Sequence, residues 1–113
     1  MTTALTLTTH PVPTGTVLTV AGELDHNSAD RFRTALGAIT LRPGDLLTVD
    51  LADLGFCDST GITALLAARN HTHALGADIA LTAIPLPTLR IMRILGLDRV
   101  FTIHPTPDTD PSR

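Results

Sequence analysis

Residues 46–63 carry the sequence LLTVDLADLGFCDSTGIT, in which an apolar strand pattern is followed by a polar turn and then by a helix pattern. The segment Leu46–Leu51 is typical of a buried strand, and an amphipathic helix pattern begins near Ile62. The polar residues 58–61 therefore open a helix directly after a strand. At such a position, free backbone N–H groups and the positive end of the helix dipole favour a negative charge. Because the stretch also presents the Ser59 hydroxyl on an exposed turn, we interpret it as a candidate phosphorylation switch.

The rest of the chain alternates strand and helix patterns. Strands are predicted at Leu5–Thr9, Thr16–Val20, Leu46–Leu51, Ala77–Ala83 and Arg99–Ile103. Helices are predicted to begin at Asn27 or Ser28, at Ser59 or Thr60, and at Pro85, with Gly76 and Gly96 ending the last two. Leu89, Met92 and Leu95 mark one face of the third helix.

This alternation predicts one α/β domain over residues 1–104. Its mixed, mostly parallel sheet begins with an N-terminal hairpin whose loop spans residues 10–15, and helices pack on it. Residues 105–113 are rich in Pro, Thr and Asp and are predicted to form a flexible tail.

Composition limits the classes of partner. The chain has 113 residues, a net charge of −3, 3% aromatic residues and no Lys, and its Arg residues are scattered, so we expect no direct contact with nucleic acid. Cys57 is the only cysteine, which excludes an intramolecular disulfide. Without a long apolar segment or a signal peptide, the sequence predicts a cytoplasmic protein that does not contact the membrane.

Three motifs together resemble a known family. They are Gly-Glu-Leu-Asp at 22–25, Leu-Gly-Phe-Cys-Asp-Ser-Thr-Gly-Ile at 54–62, and Gly-Leu-Asp-Arg-Val-Phe at 96–101. In this order they resemble the STAS-domain anti-sigma factor antagonists of bacteria, also called anti-anti-sigma factors. The resemblance extends over nearly the whole chain, to about Ile103, and implies that residues 1–104 form a STAS-like domain.

The resemblance implies a regulatory protein rather than an enzyme, with no cofactor. Ser59 would be phosphorylated by a partner anti-sigma factor that has serine kinase activity. The unmodified chain would bind that partner and release a sigma factor, and a phosphatase acting on phospho-Ser59 would reset the switch. Thr60 replaces the family's commoner second serine, so it is an alternative acceptor. Other STAS domains are interaction or scaffold subunits that are never phosphorylated, and that function is the alternative.

The residues around Ser59 have structural as well as functional interpretations. Asp58 either caps the helix or orients the Ser59 hydroxyl, and Gly61 leaves room for a partner backbone or for close packing on the sheet. With Thr60, these two residues are expected to support the phosphorylation loop. Parallel strands would place Asp25 and His26 beside this loop. The predicted partner-binding surface consists of Asp25, His26, Asp58, Ser59, Thr60, Gly61 and Ile62.

Other reactive residues have simpler interpretations. Cys57 is expected to be a small buried apolar residue, and a serine or cysteine hydrolase is disfavoured because no activating base has a suitable spacing. His71 and His73 lie on different helix faces, so no metal site is predicted. Arg90 and Arg93 lie on an exposed helix face that is either solvated or in contact with an acidic partner.

Overall fold

The structure, a computed structural model, describes residues 4–104. Its strands are β1 (Thr6–Val12), β2 (Gly15–Leu24), β3 (Leu46–Asp50), β4 (Leu54–Cys57), β5 (Asp78–Thr82) and β6 (Thr102–His104). Its helices are α1 (Ala29–Ala38), α2 (Ser59–Ala74) and α3 (Leu86–Ile94), with a 3-10 turn at Leu97–Arg99. The tail predicted over residues 105–113 lies outside the described residues, so it stays a prediction.

The strands form one mixed six-stranded sheet. Its order is β1-β2-β3-β5-β6, and β4 also pairs with β2. The hairpin partners β1 and β2 are antiparallel, whereas every other pair is parallel. The predicted α/β class, the mostly parallel sheet and the N-terminal hairpin are therefore confirmed.

The hairpin turn is shorter than predicted. β1 continues to Val12, which lies opposite Gly15, so that only Pro13 and Thr14 connect the strands. The sequence suggested a longer loop because Pro11 usually ends a strand. β1 is an edge strand, however, and an edge strand tolerates a residue that has no N–H group to donate.

β4 is a strand that the sequence did not predict. After β3 the chain turns at residues 51–53, where the Asp50 carboxylate accepts a hydrogen bond of 3.0 Å from the Ala52 N–H group. It then resumes an extended course and pairs with residues 22–24 at the end of β2. The junction between strand and helix therefore lies between β4 and α2, not between β3 and α2.

All three helices lie on one face of the sheet. α1 joins β2 to β3, α2 joins β4 to β5, and α3 joins β5 to β6, so every crossover advances in the same direction. Parallel connections are almost always right-handed, which places successive helices on the same side. The burial of β2 agrees with helices on one face only. Leu18, Val20 and Leu24 are fully buried, whereas the side chains on the opposite face of the strand between them are partly exposed. None of the helices within residues 4–104 has the length and apolar character needed to cross a membrane.

The last elements differ from their predicted bounds. Gly76 and Gly96 follow α2 and α3 with φ angles of 77° and 76°, as expected of residues that end helices. Leu97–Arg99 forms a 3-10 turn, and the final strand begins only at Thr102. The strand predicted at Arg99–Ile103 was therefore placed too early, because the turn takes its first residue.

Gly61 allows α2 to begin in contact with β2. A Cβ atom at this position would overlap the Leu24 carbonyl oxygen and would lie 2.6 Å from the Cys57 sulfur. Gly61 is also buried. The second of its two interpretations, close packing against the sheet, therefore describes its place in the structure.

We expect Gly61→Ala to lower the free energy of unfolding by about 1–3 kcal/mol, because the added methyl group displaces the start of α2 from β2. Unfolding in urea measures the change. Gly37→Ala is the matched control, since Gly37 lies in α1 and, apart from its chain neighbours and its own helix backbone, no atom lies within 4 Å of its Cβ position. That substitution should leave stability unchanged or raise it by up to about 1 kcal/mol. Equal losses in the two variants would contradict the close-approach explanation.

Candidate functional site

The candidate site lies where β2 and β4 end side by side. Leu24 and Cys57 are paired in the parallel register of these strands. The next residues, Asp25 and Asp58, therefore leave the sheet together. The structure thus brings together the two loops that the sequence placed at the same end of the sheet, although it does so through the unpredicted strand β4.

Asp58 is the N-cap of α2. Its Oδ1 atom accepts a hydrogen bond of 3.0 Å from the Gly61 N–H group, and its backbone carbonyl accepts one of 3.0 Å from the Ile62 N–H group. The capping interpretation of Asp58 is therefore confirmed. Because Oδ1 faces the helix, the cap also fixes the direction in which the first turn displays Ser59 and Thr60.

Ser59 is the first residue of α2 and its side chain is exposed, whereas Thr60 is half-buried. The Thr63 hydroxyl donates a hydrogen bond of 2.9 Å to the Ser59 carbonyl, and so ties the two ends of this first turn together. The N–H groups of Ser59 and Thr60 precede the intrahelical hydrogen-bond pattern, as the first amides of every helix do. An anion on the Ser59 side chain would therefore lie next to free donors and the positive helix end.

The neighbouring loop is held by its own hydrogen bonds. The Asp25 carboxylate accepts a bond of 2.9 Å from the Asn27 N–H group, while His26 is exposed. The Ser28 hydroxyl donates to the Glu23 carbonyl over 2.8 Å and accepts from the Asp25 N–H group over 3.0 Å. Ser28 is thus the N-cap of α1 by position, but its side chain braces the loop instead of capping the helix.

The seven predicted partner-binding residues differ in exposure. Ser59 and His26 are exposed, and Asp25, Asp58 and Thr60 are half-buried. Gly61 and Ile62 are buried, so in the free protein they position the turn without presenting a side chain at the surface. Contact of any of these residues with a partner stays a prediction.

Phe56 is an exposed aromatic residue beside the site that the sequence reasoning did not select. It lies in β4 opposite Glu23, and 50% of its surface is exposed. The register of β2 and β4 shifts at Gly55, and Phe56 is exposed although Leu54 and Cys57 on either side are both buried. Strict alternation from Leu54 would place Phe56 on the buried face, so the sequence pattern does not predict its exposure.

Cys57 has the environment of a structural residue. Its side chain is buried, and burial together with the negative charge of Asp58 raises the pKa of the thiol to about 12. The thiol therefore stays protonated at neutral pH and lacks the thiolate that a cysteine nucleophile requires. Among the residues that the structure describes, no group of three or more His, Cys, Asp or Glu side chains is placed to hold a metal ion.

The raised pKa of Cys57 predicts an alkaline loss of stability. The folded state keeps a thiol proton that the unfolded state releases above its ordinary pKa of 9.0. The free energy of unfolding should therefore fall as pH rises, by up to about 1.4 kcal/mol per pH unit between about pH 9 and 11. The chain has no Tyr or Lys, so no other side chain titrates in this window.

Urea unfolding at several pH values measures this slope, and Cys57→Ala is the control. We expect the variant to be less stable at every pH because it leaves a cavity, yet to lack the alkaline slope. The same slope in both proteins would show that burial does not hold the thiol proton.

Comparison with known proteins agrees with the predicted family. The family model described as "Mlab, STAS domain" matches residues 8–104. The anti-sigma F factor antagonist of Paenibacillus polymyxa is 27% identical over 89 residues, which cover 78% of this chain and 76% of that protein.

Solved structures show the same architecture. The crystal structure of an anti-sigma factor antagonist from Mycobacterium paratuberculosis has a TM-score of 0.77 and 26% identity, and the match covers 93% of this chain and 89% of that one. A sulfate transporter family protein from Wolinella succinogenes has a TM-score of 0.74 at 16% identity, over 88% of this chain and 83% of that one, which shows a shared fold alone. The match of the family model to nearly all of the described residues, on a sheet of the same architecture, shows that this chain belongs to the STAS domain family.

Proposed function

We propose that this chain is an anti-sigma factor antagonist that is controlled by phosphorylation of Ser59. In its unphosphorylated form it binds an anti-sigma factor with serine kinase activity and thereby frees a sigma factor. The kinase transfers a phosphoryl group to the Ser59 hydroxyl, which ends binding, and a phosphatase restores the hydroxyl. The similarity to anti-sigma factor antagonists over more than three quarters of the chain supports the class of function.

One observation carries the phosphorylation proposal. Ser59 presents an exposed hydroxyl at the first position of a helix whose cap is already supplied by Asp58. Its modification therefore disrupts no hydrogen bond of the cap. Thr60 is half-buried in the same turn and is a poorer acceptor, since a kinase must reach the hydroxyl with its bound nucleotide.

The switch works through local electrostatics. Phosphorylation adds about −1.5 to −2 charges near neutral pH. Within the protein, the N-terminus of α2 stabilises this charge. Under a docked partner the phosphate loses water, and each like charge about 4 Å away costs about 4 kcal/mol at an effective dielectric constant of 20. Since about 1.4 kcal/mol changes affinity tenfold, one such contact weakens binding by two to three orders of magnitude.

The alternative functions make different demands on the same residues. A scaffold subunit that is never phosphorylated would use the surface around Ser59 only for contact. The same fold occurs in a sulfate transporter family protein, so the fold alone does not separate the two functions. A hydrolase would require an activated nucleophile. Cys57 is buried with its proton held, so it does not supply one.

Two substitutions at Ser59 test the switch. Ser59→Ala removes the acceptor and one exposed hydroxyl, so we expect it to prevent phosphorylation while changing affinity for the cognate anti-sigma factor less than about threefold. Ser59→Asp adds a smaller charge than a phosphate and should weaken binding at least tenfold. It should not lower thermal stability, because the charge lies at a helix N-terminus. Titration calorimetry measures the affinities, and intact mass after incubation with kinase and ATP measures modification.

Thr60→Ala is the matched control for the acceptor. We expect it to gain the same mass of one phosphate as the unmodified chain. If phosphate is added to Ser59→Ala but not to Thr60→Ala, then Thr60 is the acceptor. If the unmodified chain binds the anti-sigma factor but is never phosphorylated, the scaffold function replaces the switch.

A further inference from the structure

α3 and the turn after it expose an unusual concentration of apolar side chains. Within residues 4–104, large exposed apolar side chains occur at Phe56, at Leu75 and at five positions between residues 86 and 100. Those five are Leu86, Ile91, Ile94, Leu95 and Val100. We call them, together with Arg90 and Arg93, the α3 surface. Such a cluster on a water-facing helix is typical of a protein interaction site, whereas scattered apolar residues are not.

The sequence did not predict this surface. Leu89, Met92 and Leu95 are spaced as one buried helix face, yet only Met92 is fully buried and Leu95 is 58% exposed. Ile94 is 83% exposed, which leaves almost its whole side chain in water. Ile91, Ile94 and Leu95 are separated by three and four residues, so they form one continuous stripe along the outside of α3.

The α3 surface is also basic in a chain whose net charge is −3. α3 contains Arg90 and Arg93 and no acidic residue, and the following turn adds Asp98 and Arg99, whose charges offset each other. The ion pair found within residues 4–104 joins Arg33 to Asp30, so neither arginine of α3 pairs with a carboxylate of that range. By contrast, the end of the sheet near Ser59 carries Asp25 and Asp58. The two regions therefore differ in the sign of their charge.

The small size of the molecule allows one partner to reach both regions, because its principal extents are 37 × 34 × 24 Å. β5 ends level with Thr19 of β2, whereas β4 ends level with Leu24, five residues further along β2. From Leu86 the nine residues of α3 extend about 13 Å back along the sheet, away from the Ser59 turn, at 1.5 Å per residue. A typical interface buries about 800 Å² on each partner and is about 30 Å across, so it can span both regions.

We propose that the α3 surface is a second part of the docking site for the anti-sigma factor, and the proposal rests on the proposed function. The anti-sigma factor contributes an apolar segment flanked by acidic side chains, which cover Ile91, Ile94 and Leu95 and pair with Arg90 and Arg93. In the reversed orientation the acidic side chains of the partner would meet Asp25 and Asp58, so their repulsion leaves only one orientation of the partner. A second copy of this chain fits less well, because a twofold axis at the stripe would bring like arginines together.

Calorimetric titration of the full chain with the cognate anti-sigma factor tests this surface. Ile94→Asp should weaken binding about tenfold or more, because a carboxylate replaces the most exposed apolar side chain of the stripe. Arg90→Glu combined with Arg93→Glu should weaken it as much, and should reduce its dependence on salt. Leu75→Asp and Arg33→Glu are the matched controls, since both residues are surface positions outside the Ser59 site and the α3 surface. They should change affinity less than about twofold.

The outcomes separate this inference from the proposed function. If the unmodified chain binds the anti-sigma factor and the α3 variants bind equally well, the inference is wrong and the function stands. If the unmodified chain does not bind the anti-sigma factor, both the proposed function and the inference are wrong. Two further results would overturn the inference by showing that something else covers the α3 surface. A dimer in sedimentation equilibrium that Ile94→Asp dissociates would indicate a second copy of this chain. Binding to phosphatidylglycerol vesicles that Ile94→Asp abolishes would indicate a lipid surface.

Discussion

The contact between the first turn of α2 and the end of β2 determines the arrangement of the whole site. Gly61 has no side chain, so its backbone packs on the Leu24 carbonyl and the Cys57 sulfur. Asp58 caps the same turn through the Gly61 N–H group. Successive helix residues are rotated by about 100°. A turn that is pressed onto the sheet at Gly61 and capped at Asp58 therefore displays Ser59 to solvent.

Charge at this position acts differently inside the protein and across an interface. The positive end of α2 stabilises a nearby anion by about 0.3–1 kcal/mol at an exposed site. Asp58 lies next to Ser59 in the chain and Asp25 follows the neighbouring strand, and both oppose the added charge. Because water screens these exposed groups, the opposing effects within the free protein are small. In the proposed complex the partner would remove that water, so the main energetic consequence of a phosphate on Ser59 would appear there.

Local signals predicted most of the fold, whereas nonlocal pairing decided the parts that were missed. The cap at Asp58 and the helix stops at Gly76 and Gly96 were predicted because each depends on residues within one turn. β4 was not predicted, because it has only four residues, one of them Gly55. It becomes a strand only by pairing with residues 22–24. The proximity of Asp25 to Asp58 was predicted correctly from the common end of parallel strands, although the strand that produces it was not. The exposure of Leu95 was missed for a related reason, since helical periodicity shows which residues share a face but not whether another element covers that face.

In the proposed complex the two parts of the docking site have separable effects on binding. Ser59 and Ile94 lie at opposite ends of their helices, and positions more than about 7–10 Å apart that contact different residues usually contribute additively to free energy. A phosphate on Ser59 then multiplies the dissociation constant by a fixed factor, whatever the α3 surface contributes. The α3 surface instead sets the dissociation constant of the unmodified form, which the phosphate then multiplies by that factor. An effective switch requires the concentration of the partner to lie between the two dissociation constants. A strong contact at α3 therefore leaves the ratio of the two dissociation constants unchanged. It lowers the range of partner concentrations over which the switch acts.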